Sequence, residues 1–192
     1  MLPPSFPHLE SSRLVLRAFA PADESRLITL AGNYEVAKNT LNIPHPYTAA
    51  DAQAWLLLTQ QSFARSEAIN FAIELRQTQE FIGGIGLRLE PRFDSAEAGY
   101  WLGCPYWGQG LATEALRALL RFGFDALGLN KIYATHLSSN PASGRVMQKN
   151  GMVKEGELVQ HTKRDGCYHD LWHYRLTRQE YVSLGPAQDA RK

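Results

Sequence analysis

Residues 96–115 read AEAGYWLGCPYWGQGLATEA. Glu97–Leu102 is rich in strand formers, Gly103–Gly110 cannot be regular structure, and Leu111–Leu127 is a strongly helical run. A strand that feeds a helix through a glycine-rich loop leaves the loop amides and the first helical amides without intrahelical partners. They converge on one spot, where the helix dipole also favours negative charge. Such a junction is suited to a phosphate. Gly108 and Gly110 carry no Cβ, so a ligand can approach the backbone closely. The plainer reading of the same glycines is a tight strand-to-helix turn. Two other phosphate motifs fail. After Gly103-x-x-x-x-Gly108 come Gln109 and Gly110 where Lys and Ser/Thr must stand, and the glycines of Gly83–Gly86 lie inside a strand instead of opening a helix.

Outward from this junction the chain alternates strands and helices. Arg13–Arg17 alternates as a strand, and Pro21 sits near the start of a helical stretch reaching about Ala31. Gly32–Tyr47 reads as irregular, with Pro44 and Pro46 preventing a long helix. Thr48-x-x-Asp51 is a capping box that opens a helix to about Arg65. Ile69–Arg76 and Phe81–Leu89 are strands. Beyond the junction helix, Lys131–His136 is a strand, and Asn140-Pro141 opens a helix that stops at Asn150-Gly151. Val153–Thr162 and Tyr168–Leu176 flank Asp165-Gly166, a strong hairpin signal. The pattern is an α/β chain around a mixed sheet. It predicts a single domain over 8–184, with irregular termini at 1–7 and 185–192.

Composition narrows the function. Among 192 residues, 44% are hydrophobic and 20% charged, which excludes a disordered chain or a coiled coil. Twenty Lys and Arg against nineteen Asp and Glu give a net charge of +1. That lacks the basic excess of a nucleic-acid binder, so no nucleic acid is expected as partner. No apolar run approaches the roughly 20 residues of a membrane span, so no membrane association is expected. MLPPSFPHLESS lacks the basic and continuous apolar regions of a signal peptide. Two cysteines, Cys104 and Cys167, are too few for a disulfide framework, and the expected location is the cytoplasm.

The loop Trp107-Gly108-Gln109-Gly110-Leu111-Ala112 resembles the pyrophosphate loop Q/R-x-x-G-x-G/A of the GNAT superfamily of N-acetyltransferases. Within it the chain looks most similar to the branch of ribosomal-protein alanine N-acetyltransferases (the Rim type), in which Trp commonly takes the first position. The resemblance extends through LESSRLVLR at Leu9–Arg17, IPHPYTAADAQAWL at Ile43–Leu56, Asn140-Pro-Ala-Ser143, Asn150-Gly151-Met152, and Asp165-Gly166 through Asp170. It implies a mixed, largely antiparallel twisted sheet of about seven strands flanked by helices. A splayed pair of parallel central strands would hold acetyl-CoA as cosubstrate. Leu102, Trp107, Gly108, Gln109, Gly110, Leu111, Ala112, Thr113, Asn140 and Ser143 are the cofactor-binding residues it implies, with no metal.

The implied reaction moves an acetyl group from acetyl-CoA to a primary amine, either a protein N-terminal α-amine or a small amine. An alkyl ammonium has a pKa of about 10.4 as lysine and about 7.7–8.0 as an α-amine. It must lose a proton before it attacks. Glu97, on the strand leading into the loop, is the first candidate base, either directly or through water, and a surface charge is its plain alternative. Glu155 and Glu157 are rivals. Tyr100 and Trp101 read as packing or acceptor-wall residues. Many GNAT enzymes meet the departing thiolate with a Tyr, but Met147 stands at that position here. Ser143, three residues after Asn140, is the candidate acid in its place, as in the Rim branch.

The remaining polar residues carry weaker signals. Cys167, His169 and His173 share a strand face, and His161 could face them, but the spacing is uneven for zinc. His45, His136 and His161 could assist proton movement. Arg65, Arg88, Arg92 and Lys38 fall in the acceptor half. The near-neutral charge offers no strong funnel for a polycation such as a polyamine. Monomer and homodimer both remain open. A catalytically idle acyl-CoA-binding module is the alternative, disfavoured because Glu97 and Ser143 are both present.

Overall fold

The computed structural model describes residues 2–185. The strands are β1 (Leu9–Glu10), β2 (Leu14–Ala18), β3 (Ala68–Leu75), β4 (Glu80–Glu90), β5 (Ser95–Leu102), β6 (Lys131–Leu137), β7 (Val153–Arg164) and β8 (Cys167–Thr177). The helices are α1 (Glu24–Ala31), α2 (Tyr34–Ala37), α3 (Ala49–Ala64), α4 (Leu111–Arg121), α5 (Pro141–Lys149) and α6 (Arg178–Leu184). The strands form one sheet in the order β1-β2-β3-β4-β5-β6-β8-β7. Every pair is antiparallel except β5–β6.

Eight strands stand where about seven are expected. The extra one is the two-residue edge strand β1, held by Leu9↔Leu16 and Glu10↔Val15. Within Gly32–Tyr47 a single helical turn, α2, forms because the Asn33 side chain accepts a hydrogen bond from the Glu35 amide. The helical run from Leu111 loses its regular ladder at Arg121 and continues as a π-helical turn, in which Leu127 N–H reaches the Phe122 carbonyl at 3.1 Å. Met1 and 186–192, which include most of the expected C-terminal tail, lie outside the described residues.

Side-chain alternation divides β5 between two cores. Ala96, Ala98 and Leu102 are buried with α4 residues such as Leu116 and Leu119, and Tyr100 packs against the same cluster. Trp101 points the other way, to Phe19, Leu27, Leu30 and Phe81 beneath α1 and α3. Next to it, Gly83 of β4 is obligatory, since a Cβ there would collide with the Trp101 carbonyl.

The one parallel pair has a short register: Ser95↔Lys131, Ala96↔Ile132 and Glu97↔Tyr133. Beyond Glu97 and Tyr133 the two strands stop pairing. β5 stays on β4 as far as Leu102↔Gly83, and β6 stays on β8 as far as Leu137↔Leu171. The sheet therefore splays open between the C-terminal halves of β5 and β6, toward the loop before α4 and the start of α5.

Candidate active site

The loop after β5 turns through a short 3₁₀ segment, Cys104–Tyr106, and reaches α4 through Gly108 and Gly110. Both glycines have positive φ, +74° and +76°. Gly110 is the N-cap of α4 and offers no side chain to cap it. The ladder begins with Glu114 N–H on the Gly110 carbonyl, so the amides of Leu111, Ala112 and Thr113 precede any intrahelical partner. A Cβ at Gly108 would meet nothing within 4 Å, which leaves the loop open to a ligand. The Trp107 indole N–H donates to the Leu102 carbonyl at 2.7 Å, and the Gln109 amide donates to the Pro105 carbonyl at 2.9 Å. These two bonds fix the loop from within. The geometry suits the pyrophosphate of a coenzyme A thioester.

Sequence reading missed Arg13 at this site. Its guanidinium donates to the Gln109 carbonyl at 3.0 Å and to Glu114 at 2.7 Å. Glu114 also accepts from Ser11, Ser12 and the Arg13 amide, each at 2.8 Å. Burial raises the Glu114 carboxyl, but these four donors outweigh it and hold the group below its ordinary value. A cation thus stands beside the loop, and only the fold brings it there, 96 residues away in sequence.

Across the splay, Ser143 sits in the first turn of α5. Its amide donates to the Asn140 side chain at 3.3 Å, so Asn140 caps the helix, while the Asn140 amide group donates to the Asn39 carbonyl at 3.4 Å. The Tyr100 hydroxyl lies 2.9 Å from both the Ser143 carbonyl and the Ser143 hydroxyl. Burial drives the Tyr100 phenol far above its ordinary value, so it stays protonated. Of packing residue and acceptor wall, these contacts fit the packing role. Tyr100 bridges β5 to α5 on the side of the sheet opposite Trp101. Met147 is buried in the core.

Glu97 opens on the opposite face, into a cleft of about 660 Å³ lined by Arg88, Tyr133, Thr135, Leu158, His161 and His173 among others. One Glu97 oxygen pairs with Arg88 of β4, and the other accepts from the Thr135 hydroxyl at 3.4 Å. A Cβ on neighbouring Gly99 would meet nothing within 4 Å, so the strand is open beside Glu97. Tyr133 donates to Glu90 at 2.8 Å, and burial and that bond push its phenol up to about 12. Glu155 pairs with Lys131 at 2.8 Å, with His173 at 3.2 Å and with Arg175 at 3.5 Å. Lys131 holds its carboxyl below the ordinary value, which makes Glu155 a poor proton acceptor. Glu157 pairs instead with Lys154 and does not line the cleft.

The other polar residues separate. Arg88 lines the cleft, whereas Arg65, Arg92 and Lys38 do not. His136 lies buried under α5, with Nδ1 on the Leu137 carbonyl and Nε2 against Gly144. His45 packs on Tyr34. A break in register between Leu158 and Thr162 leaves His161 out of line with His169, which pairs with Thr162. Among the described residues no three His, Cys, Asp or Glu side chains gather as a metal cluster. No helix among them is long and apolar enough to cross a membrane.

Comparison with known proteins gives the family. The family model for the acetyltransferase (GNAT) domain matches residues 13–153. The chain is 31% identical over 174 residues to the uncharacterized N-acetyltransferase YoaA of Bacillus subtilis, covering 90% of this chain and 98% of that protein. It is 31% identical over 125 residues to the ribosomal-protein-serine acetyltransferase of Escherichia coli, covering 65% of this chain and 66% of that protein. Its fold matches that of RimL, a ribosomal L7/L12 alpha-N-protein acetyltransferase solved with coenzyme A. The TM-score is 0.80 at 22% identity, over 89% of this chain and 98% of that one.

Proposed function

Since the chain belongs to the GNAT acetyltransferase family and is an acyltransferase, we propose that it acetylates an amine of single charge, foremost the α-amine of a protein N-terminus, at the expense of acetyl-CoA. The observation that carries the choice of acceptor is the charge pattern of the cleft. Of the carboxylates that line it, Glu97 pairs with Arg88, and Glu90 accepts from Tyr133 and lies 3.8 Å from the same Arg88. Both carboxylates are partnered, and Arg88 and Lys131 stand on the same wall, so the cleft presents no unpaired acidic row for a polyamine. An α-amine, at about 7.7–8.0, is also the easier one to deprotonate. The similarity to a ribosomal-protein-serine acetyltransferase supports the same choice. A small monoamine shares this chemistry and is the second acceptor to try.

Bound acetyl-CoA supplies an activated acetyl thioester. The chain's own residues do the rest. The amides from Leu111 to Thr113 and the Gly108–Gly110 loop receive the pyrophosphate, with Trp107 and Gln109 bracing the loop from within. The splay between β5 and β6, with Leu102 at its loop end and Asn140 at its far side, takes the pantetheine arm. Glu97, facing the cleft at the point where the strands part, orients the amine and draws on its proton. Ser143, at the positive end of α5, supplies a hydrogen bond or proton to the leaving sulfur. The acetyltransferase unit spans 8–184, and its free Cys104 and Cys167 suit a reducing compartment such as the cytoplasm.

The test is release of coenzyme A thiol from acetyl-CoA with a panel of N-terminal peptides, monoamines and polyamines. Peptides with a free α-amine should turn over fastest. Turnover of polyamines alone would refute the assignment of the acceptor.

A further inference from the structure

His173 of β8 lies opposite Thr135 of β6 and Gly156 of β7. It lines the same cleft as Glu97, Thr135 and Tyr133. Its ring stacks on Tyr133, with centroids 5.1 Å apart and planes 20° from parallel. Its Nδ1 faces the Glu155 carboxylate at 3.2 Å. A carboxylate accepts only, so Nδ1 carries the hydrogen, and Nε2 keeps its lone pair. Gly156 places no side chain over the ring, and a Cβ there would meet nothing within 4 Å. A carboxylate thus orients an imidazole from behind while a stacked phenol fixes its plane. Glu97 is less free to take a proton, because both its oxygens already accept hydrogen bonds, from Arg88 and Thr135.

We propose that His173, positioned by Glu155, takes the proton released by the acceptor amine. This deepens the acetyl-transfer reading and rests on it. The balance is simple. The amine nitrogen bonds to the acetyl carbon, and the thioester carbon–sulfur bond breaks. The nitrogen–hydrogen bond breaks with its electron pair left on nitrogen, and the proton passes directly or over water to Nε2. The imidazolium is countered by Glu155 and returns the proton to solvent, while the coenzyme thiolate, hydrogen-bonded by Ser143, takes one from solvent. An unperturbed imidazole near 6.5 matches an α-amine far better than a carboxylate near 4.3 does.

The charged and titratable groups around the ring are Glu155 of β7, Lys131 and Tyr133 of β6, Arg175 of β8, Glu97 of β5, Arg88 and Glu90 of β4, and His161 across the cleft. Burial first, then Lys131, lowers the His173 pKa, while Glu155 and Glu97 pull it back up. The ring is therefore neutral and ready to accept at neutral pH.

The experiment compares wild type, His173→Gln and Glu155→Gln with an N-terminal peptide acceptor between pH 6 and 9, and records nitrogen-15 spectra of the wild-type imidazoles. His173→Gln should lower kcat/KM about 10²-fold at pH 7, in the range seen when a general base is removed. Its deficit should shrink toward pH 9, and the thermal shift given by acetyl-CoA should be unchanged. Glu155→Gln should move the acid limb of the profile to lower pH, because the charge that favours imidazolium is gone. The His173 spectrum should show Nδ1 protonated and Nε2 bare. A His173→Gln profile that overlays an active wild type, or a ring protonated at Nε2 alone, overturns the proposal and leaves the acetyltransferase standing. A wild type that acetylates no amine overturns both.

Discussion

Tyr100 and Ser143 meet across the open side of the parallel strand pair, hydroxyl to hydroxyl at 2.9 Å. The same phenol reaches the Ser143 carbonyl at 2.9 Å, so Tyr100 pins the first turn of α5 against β5. If Tyr100 donates to that carbonyl, the serine proton points back at the phenol oxygen. In the proposed reaction Ser143 then turns to serve the leaving sulfur.

Ser143→Ala should leave acetyl-CoA affinity nearly intact, since the pyrophosphate loop lies elsewhere. It should lower kcat by about 10²–10⁴ where thiolate departure limits the rate. Tyr100→Phe should cost only about 1 kcal/mol of stability and spare most of kcat, because it frees the serine hydroxyl. Steady-state kinetics and calorimetric CoA binding on both variants check this. A Tyr100→Phe enzyme as inactive as Ser143→Ala would move the acid role to the phenol.

Gly110 adopts φ +76° at the N-cap of α4, where the proposed function places the coenzyme phosphates. Gly110→Trp should abolish measurable CoA binding by filling that space. Gly110→Ala should also lose affinity, and should lower stability by roughly 1 kcal/mol because an L residue is strained there. Wild-type CoA affinity in Gly110→Trp, measured by calorimetry, would place the phosphates elsewhere.

Much of this architecture is legible in the sequence, for local reasons. Thr48-x-x-Asp51 and Asp165-Gly166 announce a helix start and a hairpin through contacts that span three residues or fewer, and the glycine loop before Leu111 does the same. Thr177-x-x-Glu180 carries the same capping signal for α6 and could have been read. What is not legible depends on register. Glu155 and His173 face each other only because β7 shifts register between Lys154 and Gly156. Arg13 reaches Gln109 only after β2 is placed beside α4, and Tyr100 reaches Ser143 only once the strands splay. A two-residue strand such as β1 and a single turn such as α2 are too short to show any period.

Glu114 ties the N-terminal segment to α4 through four donors, and its folded pKa is depressed below the ordinary 4.5. A depressed carboxyl contributes stability that is full above its unfolded pKa and is lost as pH falls through the folded one. Glu114→Gln should therefore lower Tm at pH 7, by about 1–2 kcal/mol or roughly 2–8 °C for a chain of this size. The gap from wild type should close as pH drops below 4.5. A gap that persists unchanged at pH 3 would mean that the loss comes from packing and not from charge.

Arg164, at the end of β7, donates to the carbonyls of Ala37 and of Thr40, the latter at 2.6 Å. Its side chain is only 14% exposed. It clamps the closing hairpin onto the segment after α2, next to Leu41 on the cleft wall. Arg164→Ala should raise KM for the acceptor several-fold with CoA affinity unchanged, since the pyrophosphate loop is not involved. Kinetics with each substrate varied in turn will show it; an effect on acetyl-CoA KM alone would contradict the role.

The identity of the acceptor nitrogen separates an α-amine acetyltransferase from a polyamine one. The most direct measurement is mass spectrometry of a peptide that carries both a free N-terminus and a lysine, incubated with the protein, acetyl-CoA and an equal concentration of spermidine. One acetyl group on the peptide α-nitrogen, with lysine and spermidine largely unmodified, is the predicted result. Acetylated spermidine beside an untouched peptide N-terminus would contradict it.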